Sequence, residues 1–197
     1  MEVPNDSSPK YANSLQGSPR LPNPAALALG SMHRRRKPFD LNDLVRRSTD
    51  GPCFICEFLG GTPEYAHTTV AETDSAVAFL NKYPTLFGSI LVAPKQHVED
   101  VTGSFSLDAY LEIQRFVYRV GEAICDVLKP ERLYVLSLGS LAANAHVHWH
   151  LAPLPAGVPL EHQQYYALMH ENGVIDADDS ELRQYAADVH LAIQEQA

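Results

Sequence analysis

Three histidines at alternate positions, in the run His146-Val147-His148-Trp149-His150, are the residues of this chain best equipped for chemistry. In a β-strand their imidazoles project to one face while Val147, Trp149 and Leu151 project to the other. The apolar set would then face a core and the histidines a cleft. Two chemistries suit three aligned imidazoles. They could ligate a catalytic metal, but such sites usually recruit a further ligand, often a carboxylate, and residues 133–159 contain no Asp or Glu. Alternatively they do phosphate chemistry directly. An imidazole with a pKa of about 6.5 is mostly neutral at neutral pH and so a competent nucleophile, while a neighbouring ring can donate to a phosphoryl oxygen as charge builds there. A second candidate is Cys53-Phe54-Ile55-Cys56, whose spacing supplies half the ligands of a structural zinc and is also compatible with a plain thiol pair or a redox couple.

The elements that must position these groups follow from periodicity. Short β-rich runs at 68–72, 76–80 and 89–93 are separated by turn residues at Thr73-Asp74-Ser75 and by Pro84 and Gly88, which predicts antiparallel strands. Leu107, Tyr110, Leu111, Gln114, Val117, Val120, Ile124 and Val127 recur at helical spacing, with Ser104 or Ser106 as N-cap and Pro130 as the stop. That stretch predicts one long amphipathic helix. Two more strands are expected at 133–138 and 145–152, then a helix over about 160–171 ending at Asn172-Gly173, and a last helix from near Ser180. The order predicts an α+β fold, an antiparallel sheet packed by a long helix and C-terminal helices.

Composition bounds the function. The chain of 197 residues carries a net charge of −9, and residues 1–47 hold 8 of its 15 Lys/Arg but only 4 of its 24 Asp/Glu. Residues 48–197 are therefore strongly acidic, which argues against polymeric nucleic acid as a partner and leaves room for a small nucleotide. Residues 1–47 read as a Pro/Ser-rich, basic, disordered tail, its proline-rich part being 1–38, and 48–197 as the catalytic domain. The run Arg34-Arg35-Arg36-Lys37 reads as solvated tail charge in preference to a docking patch. The odd count of 3 cysteines and the lack of any apolar run long enough to span a bilayer lead us to expect a cytoplasmic protein with no membrane partner. Cys125 reads as core, and His33, His67, His162, His170 and His190 as surface or structural groups, with His67 the best substitute ligand.

The segment His146-Val147-His148-Trp149-His150-Leu151-Ala152 resembles the His-φ-His-φ-His-φ-φ signature (φ apolar) of the histidine-triad family of nucleotide hydrolases and transferases. Cys53-Phe54-Ile55-Cys56, Ala78-Phe79-Leu80-Asn81 and the run from Gly88 to His97 resemble family segments in the same order, so the resemblance covers about residues 50–155. It implies that His148 attacks the α-phosphate to form a nucleotidyl-histidine intermediate and that His150 binds phosphate oxygens. It implies a base pocket at Phe54, Ile55, Phe58 and Phe79, a ribose contact at Asn81, and a structural zinc held by Cys53, Cys56, His97 and His146. It also implies a homodimer paired through the long helix and an edge strand. The chain departs from the family pattern at Ser89, where a further histidine is common, and at Ser137, where asparagine is common. The loop from Gly139 to Ala145 is short, and Asn144 and Ser140 stand in for its usual phosphate-contacting residues. We count Ser89, Ser137 and Asn144 among the substrate-binding positions. Two other readings remain: a zinc hydrolase with the triad as metal ligands, and a non-catalytic nucleotide-binding protein.

Overall fold

Every second residue of the central strands faces a different layer. Strand β3 (Ala76–Leu80) sends Ala76, Ala78 and Leu80 into one core and Val77 and Phe79 into another, and β4 (Ile90–Pro94) divides Ile90 and Val92 from Leu91 and Ala93 in the same way. Such strands are buried on both faces, which explains their continuous apolar sequence. The computed structural model describes residues 34–141 and 143–196. Its main sheet is antiparallel and five-stranded, in the order β2 (Thr69–Glu72), β3, β4, β6 (Trp149–Leu154), β5 (Arg132–Leu136). The expected α+β class is the one observed.

One face is covered by α3 (Leu107–Leu128) and α5 (Asp179–Glu195). The long helix starts where Ser106 Oγ accepts the Ala109 N–H, and it ends at Lys129, whose left-handed φ of 48° breaks the helix just before Pro130. Its buried stripe of Ile113, Phe116, Val117, Val120 and Ile124 packs on Val92, Trp149 and Leu151. Each fully buried aliphatic side chain there contributes about 1.5–3 kcal/mol. Gly88 shows how tight the layer is. Its φ is +81°, a Cβ would lie 2.5 Å from Leu128 Cδ1, and its carbonyl accepts from the buried Tyr185 hydroxyl. The other face of β3 and β4 is covered by the short α2 (Phe54–Leu59) through Ile55.

Four expectations are corrected. The final part of the segment read as tail is structured: β1 (Arg36–Lys37) pairs with β7 (Val174–Ile175), and α1 (Leu41–Asp50) is capped by Asp40. The basic run is likewise engaged. Arg34 binds Glu181 at 2.6 and 2.8 Å and stacks over Phe87, Arg35 pairs with Asp176, Arg36 donates to the Gly173 carbonyl and Lys37 pairs with Asp176. The proline-rich positions up to His33 lie outside the described residues. The last triad-bearing strand begins at Trp149, not at 145, because Val147 N–H donates to the Val98 carbonyl outside the sheet and the Pro94 carbonyl is taken by the His146 ring. The helix expected over 160–171 is broken into α4 (Tyr165–Leu168) between two 3₁₀ turns, Leu160–His162 and His170–Asn172, since Gln164 adopts a φ of 53°. Among the described residues no helix is long and apolar enough to cross a membrane.

Candidate active site

The three histidines divide between two sites. His146 sits in a bend before β6 and is 1% exposed. Its Nε2 lies 2.9 Å from the Pro94 carbonyl, which can only accept, so that nitrogen carries the proton and Nδ1 keeps its lone pair. Nδ1 lies 3.4 Å from Cys53 Sγ and 3.6 Å from Cys56 Sγ. His97 is arranged the same way, with Nε2 3.2 Å from the Glu99 carboxylate and Nδ1 3.3 Å from Cys56 Sγ. The four ligand atoms of Cys53, Cys56, His97 and His146 lie within 4.8 Å of one another.

The sequence assembles this cluster by local means. Cys53 caps α2, receiving the Cys56 N–H, and so brings both sulfurs to the helix start. The Val147–Val98 backbone bond then ties the histidine-bearing loops together. Two thiols and two imidazoles, each imidazole fixed by an acceptor on its far nitrogen, form a donor set suited to a tetrahedral metal with no open position. Burial, then the neighbouring Cys53 thiol and Glu57, push the Cys56 thiol up to about 11. A bound cation would displace that proton.

His148 is 4% exposed, and its ring is tied in the opposite sense. Nδ1 lies 2.8 Å from the His146 carbonyl and therefore carries the proton, which leaves Nε2 unprotonated. Burial lowers its pKa against the opposing effect of that bond, so the ring is neutral at physiological pH. His150, on β6 opposite Leu91 of β4 and Leu136 of β5, has its ring 4.9 Å from that of His148. Burial first, then His148 and His170, lower its pKa to about 3. Val147, Trp149 and Leu151 all lie in the core on the helix side, so the expected division of faces holds although the strand starts late. A neutral imidazole with a free lone pair beside a second neutral imidazole can attack an electrophilic phosphorus and donate to its oxygens.

His148 and His150 line a cavity of about 400 Å³ with Phe54, Asn81, Leu91 and Asn144. Asn81 Oδ1 accepts the Tyr83 N–H at 3.0 Å, and among the described residues its amide nitrogen has no hydrogen-bond partner. Asn144, held at a φ of 53° in the loop before the triad, reaches the same cavity. The other expected contacts do not line it. Ile55 and Phe79 are 0% exposed, and Phe58 packs edge-on against His67 and tilted against Phe79. Ser89 is buried with its hydroxyl donating to the Leu86 carbonyl, and Ser137 is half-buried just beyond β5. Ser140 bridges to Ala143, and Ala142 lies outside the described residues.

Sequence reasoning missed one wall entirely. Leu44, Arg47 and Ser48 of α1 line the cavity, as do Tyr83, His67 and His170. His67, read as a substitute metal ligand, instead stands among Phe54, Phe58 and Phe79 with Nδ1 bonded to the Tyr65 carbonyl, and burial lowers its pKa. No motif marks these positions. The Asp40 cap, the i,i+4 pair of Asp43 and Arg47 and the helical spacing of Leu41, Leu44 and Val45 signal a helix at 41–50 but not what it lines.

Comparison with known proteins gives a consistent picture. The sequence profile of the HIT domain matches residues 62–156. The adenosine 5′-monophosphoramidase of Schizosaccharomyces pombe is 32% identical over 106 residues, covering 52% of this chain and 74% of that protein. An uncharacterised HIT-like protein of Mycoplasma genitalium is 29% identical over 115 residues, covering 56% and 77%. Among solved structures, a hypothetical histidine triad nucleotide-binding protein from Sulfolobus tokodaii superposes with a TM-score of 0.58 at 23% identity, over 73% of this chain and 93% of that one. A Zn-bound histidine triad family protein from Mycobacterium smegmatis gives 0.57 at 18% identity, over 73% and 94%. These two likenesses establish the fold.

Proposed function

The chain belongs to the HIT family, and from that premise we propose that it is a nucleotide hydrolase or transferase whose His148 attacks the α-phosphorus. The observation that carries this reading is the bond from His148 Nδ1–H to the His146 carbonyl, because it fixes the tautomer in which Nε2 is the nucleophile. The Nε2 lone pair forms a bond to phosphorus as the bond to the leaving group breaks, and the electron pair departs with that group. His150 donates to a phosphoryl oxygen as charge develops. In the second half-reaction a water oxygen, or another acceptor such as phosphate, bonds to phosphorus. The P–N bond breaks, its electron pair returns to His148, and the proton of water offsets the charge on the departed group. With water the net change is nucleotidyl-X plus water to nucleoside monophosphate plus HX.

Phe54 and Leu91 are suited to hold the base and the free Asn81 amide a ribose hydroxyl, while Asn144 is suited to the leaving-group side. Ile55, Phe58 and Phe79 support Phe54 and His67 from behind. We assign zinc to the Cys53, Cys56, His97 and His146 cluster, in a structural role that ties α2 to the loops before α3 and β6. The competing reading of the whole triad as catalytic metal ligands loses support, because the metal-capable cluster takes His146 without His148 or His150. Exposed apolar groups on α3 and the edge strand β5, including Leu107, Tyr118 and Val135, favour a homodimer through that surface. Light scattering at micromolar concentration should give twice the chain mass. Free thiol ligands fit a cytoplasmic setting.

The deciding experiment is a panel of nucleoside phosphoramidates, dinucleoside polyphosphates and nucleotide-sugars with the wild type and His148→Ala. Turnover of at least one class by the wild type and its loss in the variant are expected. Binding without turnover across the panel would instead establish a non-catalytic nucleotide-binding protein.

A further inference from the structure

We infer that Arg47, which lines the cavity of His148 and His150 from the exposed helix α1, is a specificity-determining residue that selects nucleotides whose leaving group is itself anionic. The inference rests on the proposed attack at the α-phosphate and adds a determinant from outside the HIT segment, which begins at residue 62.

Helix α1 is built to present this side chain. The Asp40 carboxylate caps the helix by accepting the Asp43 N–H at 3.0 Å, and Asp43, one turn before Arg47, binds its Nε at 2.8 Å. No residue of α1 is buried, so the helix contributes little to the core, yet Leu44, Arg47 and Ser48 line the cavity. Arg47 Nη1 donates to the Tyr83 hydroxyl at 2.9 Å, and its guanidinium lies 5.3 Å from the centre of the Tyr83 ring. Among the described residues Nη2 has no partner, which leaves one arm of the fork for a ligand. Tyr83 is itself anchored. Its ring packs on Phe39 at 5.1 Å, its carbonyl accepts from His170 Nε2 at 3.1 Å, and its N–H reaches Asn81, the group suited to a ribose. Little side-chain freedom remains to be lost when an anion arrives.

The charge pattern points the same way. On a chain of net charge −9, the cavity is lined by two cations, Arg47 and Lys82, and one carboxylate, Glu64, with Asp43 paired to Arg47 from its own helix. The α-phosphate can be served by the imidazoles. A neutral amine leaving group gains nothing from a further guanidinium, whereas one carrying its own phosphate charges accepts charge-assisted hydrogen bonds from it. Such bonds, lost on truncation, correspond to about 10- to 100-fold in kcat/KM.

The test compares diadenosine tetraphosphate with the adenosine 5′-phosphoramidate of a neutral amine as substrates of the full chain. Arg47→Ala should lower kcat/KM for the first about 10- to 100-fold more than for the second, Arg47→Lys should recover part of that preference, and added salt should narrow it. Titration calorimetry with ADP and AMP reads the same preference without turnover, since Arg47→Ala should weaken ADP more than AMP. An equal loss on both substrates and both nucleotides, or no loss, would overturn the inference. Unchanged turnover in His148→Ala would instead sink the nucleophile assignment, and the calorimetric arm would still decide the role of Arg47.

Discussion

His146 and His148 stand two residues apart, both almost fully buried, and their rings are tied in opposite senses. The Pro94 carbonyl accepts a hydrogen bond from His146 Nε2–H and turns Nδ1 toward two sulfurs. The His146 carbonyl accepts one from His148 Nδ1–H and leaves Nε2 without the proton. One residue type thus acquires two tasks from the placement of a backbone acceptor, and the backbone of the metal-cluster residue is what orients the other ring. The thiol–imidazole cluster and the cleft of His148 and His150 are therefore linked through this peptide carbonyl, and also through Phe54, which follows Cys53 and packs on the His148 ring.

Exchanging damage between the two regions is the sharpest way to test their separation. His148→Ala should cost at least about 10⁴-fold in turnover with an almost unchanged melting temperature, since a lone nucleophile is lost and the cluster is untouched. Comparable activity losses with a large melting shift in this variant would break the distinction. Next in size, His150→Ala should slow both half-reactions by about 10²–10³-fold, the usual cost of losing a donor aimed at developing phosphoryl charge. Single-turnover kinetics that leave either half unaffected would restrict its role.

Damage on the cluster side should read out as stability. One zinc per chain is expected by elemental analysis, and Cys53→Ser should lower the melting temperature by roughly 5 °C or more. Metal-free protein of unchanged stability would remove the structural assignment. The smallest effect concerns pH. Burial holds His150 down to about 3, below its unfolded value, so the stability it contributes is complete above about pH 6.5 and is lost as pH falls toward 3. Because burial lowers the pKa of both cleft imidazoles, any acidic limb of kcat/KM should lie below the ordinary histidine value. An acidic limb with its midpoint near the ordinary histidine value of about 6.5 would contradict their burial.

Legibility followed the distance between cooperating residues. The triad was readable because its three members fall at alternate positions within five residues, and the alternation against Val147, Trp149 and Leu151 was enough to separate core from cleft. The start of β6 was not, because the departure of the segment at Val147 depends on the carbonyls of Val98 and Pro94, which only the tertiary structure brings near. The thiol–imidazole cluster joins positions 53, 56, 97 and 146, and spacing alone gave only the first two. The sheet and the long helix were legible from periodicity and from the Ser106 and Pro130 signals. The cleft wall from α1 was lost because the helix, although Leu41, Leu44 and Val45 share one face, is short and buries none of its residues, and the basic run before it resembled solvated tail.

In the proposed reaction His148 Nε2 becomes bonded to the α-phosphorus. Rapid quench with a nucleotide labelled at the α-phosphate would trap that bond. Acid-labile label on the protein is expected during the first turnover, mapped to His148 and absent from His148→Ala. Product formation with no trapped label, together with substantial activity in His148→Ala, would contradict it.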